Sequence, residues 1–273
     1  MLLIVLRRAL VIVLLALTLT AFIASTNHFA STNPPARKST RVLFVGNSYT
    51  LYNDLPWITR QLSLSAHEQR PLETEVVAMM GATLQEHWSN GLALRKLKED
   101  GPWDYVVLQE QSTMSLENPA SMREYAVRFN EEIKKAGAKT ILFVPWAHRE
   151  SLEQQSAILA AYQSLAQDLG VLQAPIGAAW QDALPRDNRL TLYRADADSH
   201  PNARGSYLAA CVLYATIYGK SPEGVSAEIT DKGMVRHEFE PLNHSIKEEP
   251  FSLDLADARL LQQTAWRTVA GNK

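Results

Sequence analysis

Arg41-Val-Leu-Phe-Val-Gly-Asn-Ser-Tyr-Thr50 is the stretch on which the reading of this chain turns. The apolar run Val42 to Val45 predicts a buried strand, and Gly46-Asn47 supplies the tight turn by which a strand passes into a helix. Ser48 stands on that turn. At the end of a parallel strand it lies on the sheet edge where open α/β folds place their ligands, and the amides after it can face a developing negative charge. Two readings fit this decapeptide alone: a nucleophile, or a serine that caps the helix.

Working outward, the chain repeats the same alternation. Asn53 or Asp54 is placed to cap a helix with Pro56 in its first turn and Ile58 and Leu62 on one face. Thr74 to Met79 reads as a second strand ended by Gly81, and Thr83 to Leu97 as a helix interrupted at Asn90-Gly91. Tyr105 to Leu108 is a third strand running into Gln109-Glu110-Gln111-Ser112. Met122, Tyr125, Ala126, Phe129 and Ile133 recur at helical spacing within Ser121 to Lys135, and Gly137 stops that helix. Thr140 to Val144 is a fourth strand. Ile158, Ala161, Tyr162, Leu165 and Leu169 mark another amphipathic helix, after which Val171 begins a short fifth strand. Such an order predicts a three-layer α/β/α sandwich around a five-stranded, mostly parallel sheet with right-handed crossovers. Ala203 to Tyr218 is apolar nearly all round and predicts a buried helix. Ser221 to Pro250 reads as an irregular surface excursion, and Leu253 to Ala270 as a last helix.

The 273 residues, 46% hydrophobic and 21% charged, are enough for one full α/β core. Arg7 and Arg8 precede an uncharged run from Ala9 to Ala24, so residues 1–24 read as a signal peptide or an N-terminal membrane anchor. Phe22 at the minus-three position makes a poor cleavage site after Ala24, and both fates stay open. Residues 25–40 are polar, contain Pro34-Pro35 and read as a linker; residues 41–273 form the domain. The arginines stay cytoplasmic and the domain is expected to be exported, periplasmic or held at the membrane by its N-terminal segment. Removing Arg7 and Arg8 from the 27 basic residues leaves 25 against 29 acidic ones, with no basic stripe, which argues against a nucleic-acid partner. Cys211 is the single cysteine, so no internal disulfide forms, and its apolar setting predicts a core residue.

A nucleophilic Ser48 needs a base. His200, in Arg194-Ala-Asp-Ala-Asp-Ser-His-Pro201, follows the last strand and precedes the buried helix, so the fold can return it to the edge that carries Ser48. An imidazole takes and returns a proton near neutrality, and Asp196 or Asp198 offers a carboxylate to orient it. The plainer alternative is a surface loop whose aspartates cap the helix. No second histidine stands at a metal-ligand spacing.

Gly46-Asn47-Ser48 after the first strand, Gly81 after the second, an amide side chain after the third and a late Asp/His loop together resemble the SGNH, or GDSL-type, serine esterases. The resemblance spans roughly Arg41 to Gly219. It implies Ser48 as nucleophile, His200 as base, and the Ser48 and Gly81 N–H groups as oxyanion donors. Two departures stand out. The family's third block is Gly-x-Asn-Asp, whereas this strand ends in Leu-Gln-Glu-Gln-Ser, so Gln109, preferred for its place at the strand end, or Gln111 would supply the amide donor. The family's aspartate lies three residues before the histidine, where this chain has Ala197 flanked by Asp196 and Asp198.

The expected function is therefore hydrolysis of carboxylic esters through an acyl-enzyme on Ser48, with short acyl groups such as acetyl on carbohydrates as the expected substrates and no cofactor. The alternative is a non-catalytic envelope binding protein on the same scaffold. A nucleotide-binding flavodoxin-like domain is disfavoured because the first turn has no glycine-rich phosphate loop. Trp146 and His148 read either as cleft residues or as core and loop residues. No role is read for His67, His87, His237 or His244.

Overall fold

The computed structural model describes residues 37–186, 190–197, 199–230 and 250–271. Five strands build one parallel sheet: β1 (Thr40–Gly46), β2 (Leu72–Ala78), β3 (Tyr105–Leu108), β4 (Lys139–Phe143) and β5 (Leu172–Ala174), in the order β2-β1-β3-β4-β5. The register pairs Phe44 with Val76 on one side and Val107 on the other. Side chains of successive strand residues point to opposite faces, so a run that is apolar throughout must be covered twice. Val42, Phe44, Val107, Ile141 and Phe143 go to one core, while Leu43, Val45, Val106, Leu108 and Leu142 go to the other.

Helices fill both layers. Over the first face lie α2 (Leu55–Ser65), α8 (Ile176–Ala183), α9 (Ala203–Tyr218) and α10 (Leu255–Gly271); over the second lie α3 (Leu84–Asn90), α4 (Leu92–Glu99), α6 (Pro119–Lys135) and α7 (Gln155–Leu169). Two single-turn helices complete the set: α1 (Ser48–Leu51), directly after β1, and α5 (Met114–Glu117). The three-layer sandwich is thus the one the strand and helix order predicts. Of the two capping residues foreseen for α2, Asp54 does the work, accepting from Trp57 N–H at 3.1 Å.

Two differences from the sequence reading have physical causes, and the open alternative at Trp146 is settled. The helix Ile176–Ala183 has no counterpart in the sequence reading, because Pro175 at its N-cap and Gly177 in its first turn are residue types that break a helical pattern. Within the excursion after Ser221, Glu228–Ile229 pairs antiparallel with Phe251–Ser252, a bridge too short to leave a pattern in sequence. Trp146 is 1% exposed and stacks between Tyr49 and Trp180, at 4.4 and 4.0 Å between ring centroids, so it belongs to the core and walls no cleft. Cys211 is buried as expected, and desolvation pushes its thiol pKa up. Among the described residues no helix is long and apolar enough to cross a membrane. Residues 1–24, most of the linker, Asp198, His237 and His244 lie outside the described residues.

Candidate active site

All five strands run the same way, so their carboxyl ends share one edge, and there the chain delivers Ser48, Gly81, the segment Gln109–Ser112 and the segment Pro145–His148. Ser48 opens α1, with Asn47 as its cap: the Asn47 Oδ1 accepts from Tyr49 N–H at 3.2 Å. The turn is tight because Gly46 has no side chain. A Cβ there would lie 2.4 Å from Thr50 Oγ1 and 2.6 Å from Gln109 Oε1.

Those two neighbours form the frame of the nucleophile. Gln109 is fully buried; its Oε1 accepts from Asn47 N–H at 2.9 Å and from the Thr50 hydroxyl at 2.8 Å. Its Nε2 donates to Asn47 Oδ1 at 2.6 Å and to the Glu110 carbonyl at 3.0 Å. Both amide hydrogens are therefore engaged, and Gln109, the preferred oxyanion donor on the sequence, is instead a brace for the Ser48 turn. Gln111 differs. Its Oε1 accepts from the Thr113 N–H and hydroxyl at 2.8 and 2.9 Å, while its Nε2 has no acceptor among the described residues.

The Gly81 loop is bound to the same frame. Asn47 Nδ2 donates to the Ala82 carbonyl at 3.0 Å, and Met79 N–H donates to the Gly46 carbonyl at 3.2 Å. Gly81 takes a φ of +70°, in the left-handed region that favours glycine. Its N–H, like that of Ser48, has no acceptor among the described residues. Glu110 completes the tie, its Oε1 accepting from Leu84 N–H at 3.0 Å and Gln111 N–H at 2.7 Å. Burial raises the Glu110 pKa, against the pull of those two N–H bonds.

His87, to which the sequence gave no reason to assign a part, lies beneath this turn. Its Nε2 is 2.7 Å from the Gly46 carbonyl, which can only accept, so that nitrogen carries the proton. The ring is fully buried and desolvation lowers its pKa. No spacing signal marks His87, because it reaches Gly46 from α3 by packing alone.

His200 arrives from the other direction. The segment Leu190–Asn202 returns to the sheet edge as a narrow loop closed by a bridge between Tyr193 and Pro201 and by Arg194 N–H donating to the His200 carbonyl at 2.9 Å. Trp146 Nε1 holds the Ser199 carbonyl at 2.8 Å, and Asn202 caps α9 through Gly205 N–H at 3.0 Å. His200 Nε2 is thereby placed 3.0 Å from Ser48 Oγ. The two residues are 152 positions apart in sequence, and the fold brings them into hydrogen-bond contact.

Asp196 does not orient the ring. Its carboxylate takes both Arg194 donors, Nε at 2.9 Å and the terminal nitrogen at 2.8 Å, which holds its pKa down. The flanking Asp198 lies outside the described residues. Desolvation lowers the His200 pKa, with the Arg194 and His148 charges acting in the same sense and Asp196 opposing. At neutral pH the ring is accordingly a free base. To accept the Ser48 proton at Nε2 it must carry its own on Nδ1. His148, open between cleft and loop on the sequence, meets Ser112 Oγ through Nε2 at 3.1 Å. Among the described residues no cluster of three or more His, Cys, Asp or Glu is arranged to hold a metal ion.

No protein-family profile matches the sequence, and no curated protein does. Solved structures match strongly. A Slackia heliotrinireducens protein described as a candidate SGNH hydrolase is 29% identical, with a TM-score of 0.56 over 66% of this chain and 99% of its own. A DUF4886 family protein from Bacteroides uniformis is 15% identical but covers more, 85% of this chain and 95% of its own, with a TM-score of 0.57. The acetyl xylan esterase AlAXEase is 17% identical, at a TM-score of 0.50 over 65% of this chain and 99% of its own. With the Gly-Asn-Ser turn after β1, Gly81 after β2 and a late histidine on the serine, this chain belongs to the SGNH (GDSL-type) superfamily of ester hydrolases.

Proposed function

We propose that the protein is a serine esterase that hydrolyses short-chain acyl esters, with acetylated carbohydrate as the substrate class, through an acyl-enzyme on Ser48. The observation that carries this is the 3.0 Å contact between Ser48 Oγ and His200 Nε2, in a site where burial keeps the imidazole neutral. His200 removes the hydroxyl proton as Oγ bonds to the ester carbonyl carbon, and the carbonyl π pair moves onto oxygen. The Ser48 and Gly81 N–H groups and the Gln111 amide are the donors for that oxyanion, each worth on the order of 3 kcal/mol in the transition state. Collapse expels the alkoxide, which takes the proton back from His200. Water, deprotonated by the same imidazole, then attacks the acyl carbon and releases the carboxylic acid and free Ser48. The similarity to an acetyl xylan esterase favours a small acyl group.

Export by residues 1–24, with the domain in the periplasm or held at the membrane, belongs to the same proposal and rests on the charge and hydropathy of that segment. The decisive experiment uses the full chain with p-nitrophenyl acetate and a fluorophosphonate probe, alongside Ser48→Ala and His200→Ala. A serine esterase gives turnover and labelling in the parent and neither in Ser48→Ala. Turnover equal in all three proteins, or a parent inert to both reagents, overturns the reading and leaves a non-catalytic binding protein on the same scaffold.

A further inference from the structure

We propose that Tyr52 is a positioning residue whose aromatic ring holds His200 and stabilises the imidazolium formed during catalysis, a part that Asp196 is not placed to play. The inference rests on the serine esterase reading and adds the group that acts on its base. The His200 ring lies 4.4 Å from the Tyr52 ring, centroid to centroid, with the planes inclined at 36°. A cation within about 6 Å of an aromatic face is attracted by the ring quadrupole. When His200 takes the Ser48 proton it becomes such a cation.

Tyr52 is held for this part from both sides. Its N–H donates to the Ser48 carbonyl, so the ring is set by the same helical turn that sets the nucleophile. Its neighbour Asn53 adopts φ 58°, ψ 19°, a left-handed conformation that a side chain other than glycine takes at a cost, and uses it to donate to Ser206 Oγ at 2.8 Å and to the Pro201 carbonyl at 3.3 Å. The turn after the nucleophile is thus fastened to the residue after the base. The Tyr52 hydroxyl has no hydrogen-bond partner among the described residues, which leaves the ring itself as the working part.

The surrounding charges decide why a neutral π face is useful here. Arg194, whose Cζ is 5.2 Å from the centroid of the same Tyr52 ring, and His148, from the segment after β4, both disfavour a charge on His200. Asp196 favours it, but its carboxylate is already neutralised by the two-pronged contact with Arg194. Tyr49 lies farther from His200 and perpendicular to it, at 6.0 Å between centroids and 80° between planes. Tyr52 is therefore the nearer of these two aromatic rings and the one in contact with the imidazole.

The test compares Tyr52→Phe with Tyr52→Leu in the full chain. Leucine keeps an apolar cover but removes the π face; phenylalanine keeps both. Tyr52→Leu is expected to lower kcat by roughly two- to thirtyfold with KM little changed, and to move the acid limb of kcat/KM to lower pH. Tyr52→Phe is expected to restore both. An acid limb that stays put or moves to higher pH in Tyr52→Leu would show that the ring only shields His200 from water, and a Tyr52→Phe as impaired as Tyr52→Leu would assign the effect to the hydroxyl; each overturns the proposal. Histidine Cε1–H resonances, with His200 assigned by its loss in His200→Gln, follow the same titration without turnover. A parent with no esterase activity would sink the esterase reading, while a His200 titration unchanged between parent and Tyr52→Leu would sink this one.

Discussion

The two halves of the site are held by different kinds of force. Ser48 sits in a buried polar frame: Gln109, Asn47 and Thr50 exchange hydrogen bonds, Asn47 ties in the Ala82 carbonyl, and the Gly46 carbonyl accepts from Met79 N–H and His87 Nε2. His200 sits on a half-exposed loop, next to the contacts that close it, and is held by a few backbone contacts, an indole and the Tyr52 ring. A buried frame fixes position to a fraction of an ångström but fails sharply when one member is lost, because each orphaned group costs its full desolvation. A loop packed on aromatic rings tolerates change and can move. The serine is therefore expected to be the brittle partner and the histidine the adjustable one.

Gln109→Leu is the sharpest way to break that contrast. It leaves Asn47 N–H, the Thr50 hydroxyl and the Glu110 carbonyl without their partner, and at about 1–3 kcal/mol for each buried group left unpaired the fold should lose at least about 3 kcal/mol. Chemical denaturation measures the loss, and activity in the surviving folded fraction should also fall, because the Ser48 turn is no longer pinned. A loss below about 1 kcal/mol would mean that water reaches the frame, and the distinction between the two halves would not hold.

His87→Phe probes the same frame from below. Removing the donor to the Gly46 carbonyl should cost about 1–2 kcal/mol near neutrality, less than Gln109→Leu because Met79 N–H still serves that carbonyl. The pH dependence gives the sign. His87 has a folded pKa below its unfolded value of 6.5, so the unfolded chain binds the extra proton, and the stability it confers is lost as pH falls below 6.5 toward the folded pKa. Glu110 works in the opposite sense: with its pKa raised by burial, its contribution is present below the unfolded value of 4.5 and is lost as pH rises through the folded value. The difference in stability between parent and His87→Phe should shrink on acidification, a slope that Glu110, common to both proteins, cannot supply.

The same contrast explains what the sequence could and could not disclose. Val42 to Val45, Gly46-Asn47-Ser48 and the apolar helix from Ala203 to Tyr218 are local patterns: periodicity, turn chemistry and chain order suffice to place them. The pairing of Ser48 with His200 followed from topology, since a loop after the last strand returns to the edge where the first strand ends. Gln109 was misplaced because its identity as an amide says nothing of its direction; folded against the Asn47 turn, it becomes a brace and leaves Gln111 as the amide whose Nε2 has no acceptor among the described residues. His87 and Tyr52 were illegible for a related reason. Their parts depend on contacts made after the layers have packed, and neither stands at a spacing that any motif requires.

Asp196 supplies the smallest expected effect and so the finest test of the adjustable half. A carboxylate that orients a catalytic imidazole carries a penalty on the order of 10⁴ in kcat when changed to its amide. Here the carboxylate is exposed and bound to Arg194, and only its field reaches His200. Asp196→Asn should therefore lower kcat by no more than about fivefold, in line with what exposed ion pairs contribute. Its signature should lie in pH: with Arg194 no longer neutralised, the imidazolium is less favoured and the acid limb of kcat/KM moves to lower pH, further at low salt than at high salt. A thousandfold loss instead would mean that in the working enzyme the loop turns, Arg194 releases the carboxylate, and Asp196 closes on His200 as the third member of the site.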